Sequence, residues 1–202
     1  MSLVLGLTGG IATGKSTVAE MLESLGAAIV DADQVSRRLM QPGSPVLRSL
    51  VEAFGPETVD SQGELNRAWL GEKVFANEAA MARLNSLTHP PIWRAIAEDI
   101  ESMRGKYPVI VLMAPLLYEH QAENRVDQVW VVHIPAQQQL ERLQQRNGLT
   151  LEAARARVAA QMSTEEKARR ADVVIDNSRS LEATRRQVEN SWNSRILPRL
   201  SQ

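Results

Sequence analysis

Cysteine is absent from the 202 residues, which excludes disulfides and thiolate metal sites. No apolar run approaches the roughly 20 residues needed to span a bilayer. The N-terminus lacks the basic flank and apolar stretch of a signal peptide. Neither charge is in excess: 23 Lys and Arg stand against 24 Asp and Glu, a net charge of -1. A dedicated nucleic-acid binder would usually carry a basic surplus. These absences predict a cytoplasmic globular protein with neither nucleic acid nor membrane as partner, and leave its oligomeric state open. The chain is 44% hydrophobic, enough for one good core with small inserted subdomains.

Residues 3–7, 28–31, 109–113 and 129–134 are short apolar runs without clean alternation, with a shorter fifth at 173–176. Such runs read as strands of a parallel sheet covered on both faces. Helical patterns separate them at 15–25, 135–146 and 181–197, which predicts an α/β doubly wound fold. Two stretches break the rhythm. About eighty residues separate the second and third strands, far more than one crossover helix needs. They hold turns at "QPGSP", "FGPE" and "DSQGE" and helical pieces around 72–88 and 92–103, which predicts a helical insert. Residues 148–171, rich in Arg, Ala and Glu, predict a helical flap held loosely on the core.

Residues 8–17 read "TGGIATGKST". Gly9-x-x-x-x-Gly14-Lys15-Ser16 satisfies the Walker A pattern, between a strand and a helix. Glycines let the backbone wrap a β-phosphate so that successive N–H groups point inward. The N-terminus of the following helix adds partial positive charge. Gly10, Ile11, Ala12, Thr13 and Gly14 are therefore candidate ATP-binding residues. Lys15 would reach the β- and γ-phosphates, Ser16 would ligate Mg²⁺, and Thr17 would contact the α-phosphate. A dinucleotide site of the Rossmann type competes poorly, because the glycine spacing is wrong and such loops do not require Lys15 and Ser16.

Asp31 and Asp33 follow the second strand, at the carboxyl end of the predicted sheet. A carboxylate there can accept the proton of an attacking hydroxyl while its neighbour helps hold hydrated Mg²⁺. Helix N-capping explains either residue alone equally well. Arg142 and Arg146 are four apart and share a helix face. Solvated arginines are the usual reading of such a pair. Arg142 is also the first candidate for neutralising charge on a transferring phosphoryl group. The tryptophans at 69, 93, 130 and 192 read as packing residues.

At this point the chain resembles the dephospho-CoA kinase family. The resemblance rests on "GLTGGIATGKSTVAEMLESLGAAIVDADQVSRRLMQPGSP", then "RLNSLTHPPIW", "VLMAPLLYE", "ERLQQR" and "ARRADVVIDN", in order along nearly the whole chain. One departure is visible: the family loop often reads G-G-I-G-S-G-K-S, whereas Ala12 and Thr13 stand here. Walker A tolerates both, provided Ala12 keeps a negative φ. The resemblance implies transfer of the γ-phosphate of ATP to the 3′-hydroxyl of dephospho-CoA. It implies a P-loop NTPase-type doubly wound parallel sheet with a helical substrate-binding insert and a helical lid. The corresponding segments are core 1–31, insert 32–106, core 107–147, lid 148–171 and core 172–202. Asp33 becomes the candidate catalytic base, with Lys15 and Arg142 as catalytic partners. His89, where the insert is expected to turn between two helices, becomes a candidate on the substrate side. Leu116 and Glu119, in the loop after the third strand, become candidates for the acceptor pocket. Asn177 falls near the adenine by the resemblance, while its bare reading is a strand-ending turn.

Two rivals stay open. One is another P-loop kinase for a small molecule or nucleotide. The other is a nucleotide-binding switch, against which the chain offers no Asn-Lys-x-Asp guanine-reading motif.

Overall fold

The computed structural model describes residues 2–75 and 77–200. The chain divides into two compact units, Met1–Val30 with Met103–Gln202, and Asp31–Ser102.

The first unit is organised by a five-stranded sheet. Its strands are β1 (Leu3–Gly9), β2 (Ala28–Asp31), β3 (Val109–Met113), β4 (Gln128–His133) and β5 (Val173–Asp176). They lie in the order β2-β3-β1-β4-β5. β1 runs parallel to β3 and β4, and β4 runs parallel to β5. β1, at the centre, is buried along its whole length, which is why its residues do not alternate in polarity. Alternation of side-chain direction still sorts them by face. Leu3, Leu5 and Leu7 join Val109, Val111, Trp130, Val132 and Ile175 in one core. Helices α1 (Lys15–Ser24) and α9 (Leu181–Ser191) cover that core with Val18, Met21, Leu22 and Val188. Each fully buried leucine there contributes about 1.5–3 kcal/mol. Trp130 and Trp192 are both core residues, as the sequence predicts.

Between β4 and β5 lie α6 (Ala136–Asn147), α7 (Leu151–Ala159) and α8 (Thr164–Arg170). α7 and α8 begin on Thr150 and Ser163, whose hydroxyls accept hydrogen bonds from the backbone N–H groups of Ala153 and Glu166, the usual N-cap arrangement. The helix predicted over 181–197 is interrupted: a π turn occupies Trp192–Ile196 before a last short helix, Leu197–Leu200. Pro198 supplies the reason. It has no N–H for the preceding turn, and its ring crowds the carbonyl four residues back.

The second unit contains α2 (Ala32–Leu39), α3 (Pro45–Phe54), α4 (Arg67–Phe75) and α5 (Glu78–Met103). Leu50, Leu70 and Val74 form its small core, with Phe54, Trp69, Met81, Leu84 and Leu87 packed against it. Arg38 on α2 pairs with Asp99 on α5 at 2.7 Å. The sequence predicts that the insert turns between two helices at His89-Pro90-Pro91. The structure corrects this: α5 continues through both prolines as one helix of 26 residues. Two interior prolines weaken a helix considerably. Burial on both sides offsets that cost, with Leu84 and Leu87 before the prolines and Ala95, Ile96 and Ile100 after them. No described helix is long and apolar enough to cross a membrane.

Candidate functional site

Among the described residues, two helices start without a side-chain cap on a proline or glycine: α6, which begins after Pro135, and α1, which begins at the end of a glycine loop. Helices α2, α3, α7, α8 and α9 each receive a Ser, Thr or Asp side-chain cap. α1 starts on Gly14, which has φ 91° and offers no side-chain cap. The first-turn N–H groups of a helix have no partner within it. Leaving them uncapped at the end of a glycine loop makes an anion-binding cradle. Gly14 is obligatory on two counts. Its φ suits glycine, and a Cβ there would fall 2.1 Å from Nδ2 of Asn177.

The loop is held from several sides. Asn177 donates from Nδ2 to the carbonyl of Thr13 at 2.8 Å, and its Oδ1 accepts from the Thr184 hydroxyl at 2.9 Å. Arg142 donates from Nη2 to the Asn177 carbonyl at 2.8 Å. Gln139 donates from Nε2 to the Ile11 carbonyl at 2.8 Å, and the Ile11 N–H donates to Oε1 of Gln161 at 2.9 Å. The Thr13 hydroxyl donates to the Gly10 carbonyl at 3.0 Å. Lys15 folds back on the loop and donates to the carbonyls of Gly9 and Gly10 at 2.9 and 2.8 Å. Ser16 and Thr17 occupy the first turn of α1.

Ala12 departs from its expected conformation. It has φ 61°, so the proviso attached to the departure from the family loop is not met. The left-handed region costs a residue with a Cβ about 1–2 kcal/mol. The hydrogen bonds on either side of Ala12, at Ile11 and Thr13, hold it there.

The two acidic candidates separate cleanly. Asp31 is the N-cap of α2: its Oδ1 accepts from the N–H groups of Asp33 and Gln34 at 2.9 and 3.4 Å, and its Oδ2 accepts from Gln34 Nε2 at 3.2 Å. The capping role belongs to Asp31, so it does not explain the Asp33 carboxylate, one residue into the helix. His89 lies within α5, where burial lowers its pKa from the ordinary imidazole value and favours the neutral ring.

In the loop after β3, Leu117 is fully buried while Leu116 is half-buried. Glu119 accepts from the Met162 N–H at 2.9 Å and from Lys167 Nζ at 2.9 and 3.1 Å. Asn177, near the adenine by the resemblance, has both polar side-chain atoms committed to the protein. Hydrogen bonds from Ser178 hold the neighbouring Asp176 carboxyl below the usual range. The loop, Gln139, Arg142, Gln161 and Asn177 are thus brought together within the first unit. Asp33 and His89 belong to the second.

Sequence reasoning passed over Gln139, Gln161 and Lys167. Gln139 and Lys167 are both buried. Their signal was periodic: Gln139 is four residues before the buried Leu143, and Lys167 three after the buried Thr164, so each shares the inward face of its helix.

Among the described residues, no group of three or more His, Asp or Glu side chains could hold a metal. Mg²⁺ rarely needs such a cage. It keeps waters and takes phosphate oxygens with one or two protein ligands. A hydroxyl at Ser16, at the mouth of an uncapped helix, fits a metal that arrives on nucleotide phosphates.

Comparison with known proteins accounts for this arrangement. The dephospho-CoA kinase family model matches residues 3–183. A dephospho-CoA kinase of Geobacter sulfurreducens is 46% identical over 195 residues, covering 96% of this chain and 98% of that protein. One of Carboxydothermus hydrogenoformans is 45% identical over 186 residues, covering 92% and 90%. The solved dephospho-CoA kinase of Campylobacter jejuni superposes with a TM-score of 0.71 at 30% identity, covering 96% of each chain. The match spans the loop, the acidic pair and the loop after β3 alike, so a phosphate loop of general type is too broad a description: the chain belongs to the dephospho-CoA kinase family.

Proposed function

We propose that the protein transfers the γ-phosphate of ATP to the 3′-hydroxyl of the ribose of dephospho-CoA, giving CoA and ADP. The observation that carries this reading is the uncapped start of α1 inside a braced glycine loop, in a chain of this family. The loop N–H groups and the helix N-terminus take the β-phosphate. Lys15 exchanges its carbonyl partners for the β- and γ-phosphate oxygens. Asp33 accepts the proton of the attacking hydroxyl, and its neighbour Asp31 keeps the turn in place as the cap of α2. Arg142, fixed by the Asn177 carbonyl, holds its guanidinium beside Gly14, where charge on the phosphates is met by a planar fork. Mg²⁺ bound with ATP would be held by Ser16 and Asp31, and would neutralise phosphate charge. Leu116 and Glu119 shape the acceptor side, and His89 contributes from the insert. The reaction draws on cytoplasmic ATP.

The test is ADP release from Mg²⁺-ATP with and without dephospho-CoA, run beside adenosine, a nucleoside monophosphate and shikimate as acceptors. Release that depends on dephospho-CoA, with a product one phosphate heavier, is expected. Release independent of any acceptor would select a nucleotide hydrolase or switch. Release with another acceptor alone would select a different kinase.

A further inference from the structure

Lys167 is fully buried, and no part of the reaction above uses it. Burial lowers its pKa, and Glu119 pulls the other way. A buried ammonium is costly unless its donors are met, and here they join separate segments. Nζ donates to the Pro115 carbonyl at 2.5 Å and to Glu119 at 2.9 and 3.1 Å. The same Pro115 carbonyl accepts from the hydroxyl of Thr8 at 3.2 Å, and Thr8 is the residue before the phosphate loop begins. Glu119 in turn accepts the Met162 N–H at 2.9 Å. Thr164, on the same helix face as Lys167, presses on the loop itself: a Cβ on Gly10 would fall 2.8 Å from its Cγ2. Arg170 clamps the far end, 4.3 Å from the Tyr118 ring centre and paired with Glu123 at 2.5 Å.

We propose that Lys167 is a positioning residue for phosphoryl transfer: by gripping Glu119 and the Pro115 carbonyl, which the Thr8 hydroxyl also holds, it fastens α8 and the acceptor-side loop onto the root of the phosphate loop. It touches no reacting atom. It sets the distance between the segment that presents the acceptor and the segment that holds the phosphates, and in-line transfer is sensitive to that distance. The inference rests on the kinase reading above.

The experiment compares Lys167→Met, Glu119→Gln and the double variant with wild type. Lys167→Met leaves the half-buried Glu119 carboxylate without its ammonium partner, so Tm should fall by about 5 °C. Assayed well below that Tm, kcat should fall at least about tenfold, while KM for ATP moves less than about threefold, since Asn177 and Gln139 still brace the loop. The double variant removes both charges and should regain most of the lost Tm without regaining kcat. Glu119→Gln alone keeps the Lys167 amine on the Pro115 carbonyl; because Glu119 also borders the acceptor, its effect should fall on KM for dephospho-CoA, with a smaller loss of kcat than in Lys167→Met. Amide exchange in residues 116–119 and 162–166 of free Lys167→Met should quicken together. Recovery of kcat along with Tm in the double variant, a wild-type kcat in Lys167→Met, or an equal loss in Glu119→Gln would each overturn the assignment. A wild-type protein inactive on dephospho-CoA would refute the kinase reading instead. The exchange experiment, which needs no substrate, would still decide whether Lys167 anchors both segments.

Discussion

Asn177 and Thr13, 164 positions apart, are joined by a 2.8 Å hydrogen bond from a side-chain amide to a loop carbonyl. The end of β5 thereby sets the shape of a loop that follows β1. Asn177→Asp tests this. A carboxylate cannot donate, and it would set an oxygen against the Thr13 carbonyl. A buried acceptor left without its donor costs about 1–3 kcal/mol. Thermal denaturation should show that loss, and KM for ATP should rise more than kcat falls.

Lys15→Ala removes two hydrogen bonds to loop carbonyls and the charge proposed to meet the phosphates. The fold should survive, by circular dichroism. Turnover should drop by about 10²–10³-fold, the scale of losing one donor to developing charge. A folded Lys15→Ala protein with near wild-type kcat would falsify the phosphate-loop assignment.

Asp31→Asn and Asp33→Asn should behave differently. Asn caps a helix about as well as Asp, so Asp31→Asn should hold its Tm, while losing the carboxylate proposed for Mg²⁺ should raise the Mg²⁺ concentration that turnover needs. Asp33→Asn also leaves the cap intact but removes the proposed general base, which should cost about 10²–10⁴-fold in kcat. Nucleotide titration should show ATP affinity little changed in Asp33→Asn. Equal kcat in Asp33→Asn and wild type would place the base elsewhere.

The cover over the nucleotide should be narrower than residues 148–171. In α7 only Ala154 is buried, so little apolar area holds it down. α8 is fastened by Lys167 and Arg170. Hydrogen exchange with a non-hydrolysable ATP analogue should therefore show protection rising in Leu151–Ala159. Thr164–Arg170 should be protected in both states. Uniform change across both helices would mean that they move as one lid.

His89 makes stability depend on pH. Its pKa in the folded chain is lowered from 6.5 by burial, so the unfolded chain binds more protons as the medium turns acid. Its contribution is complete above 6.5 and is lost as pH falls through the folded value. Urea denaturation of wild type and His89→Gln, from about pH 7.5 to about pH 5, should show the wild-type advantage shrinking. A difference that stays constant would mean the ring is not burial-shifted.

The strands, the phosphate loop and the helix after it were legible because their signals are local. An apolar run of five residues, or Gly14-Lys15-Ser16 after a strand, needs no tertiary knowledge. Three features resisted for a common reason. Continuity of α5 through Pro90 and Pro91 depends on packing by residues on both sides of the prolines. The positive φ of Ala12 depends on Gln139 and Asn177, which lie more than a hundred residues away. Lys167 sits in an Arg- and Glu-rich stretch where charged side chains ordinarily face water, and only the sheet beneath α8 makes its position an interior one. Asp31 lay between: its capping geometry was foreseeable, but the choice between Asp31 and Asp33 as cap needed the observed start of α2.

The sheet ends at both sides on strands of four residues, β2 and β5, against seven in central β1. Edge strands are where folded proteins recruit one another into fibrils, because their outer N–H and C=O groups are a template for a further strand. A four-residue template offers few such groups. β5 is also bracketed by Asp172 and Asp176, charges that an added strand would have to strip of water. The segments best suited to cross-β stacking, such as the uncharged Val109–Met113, lie inside the sheet with neighbours on both sides. Aggregation of this chain should therefore track the population of unfolded molecules and not the concentration of folded ones.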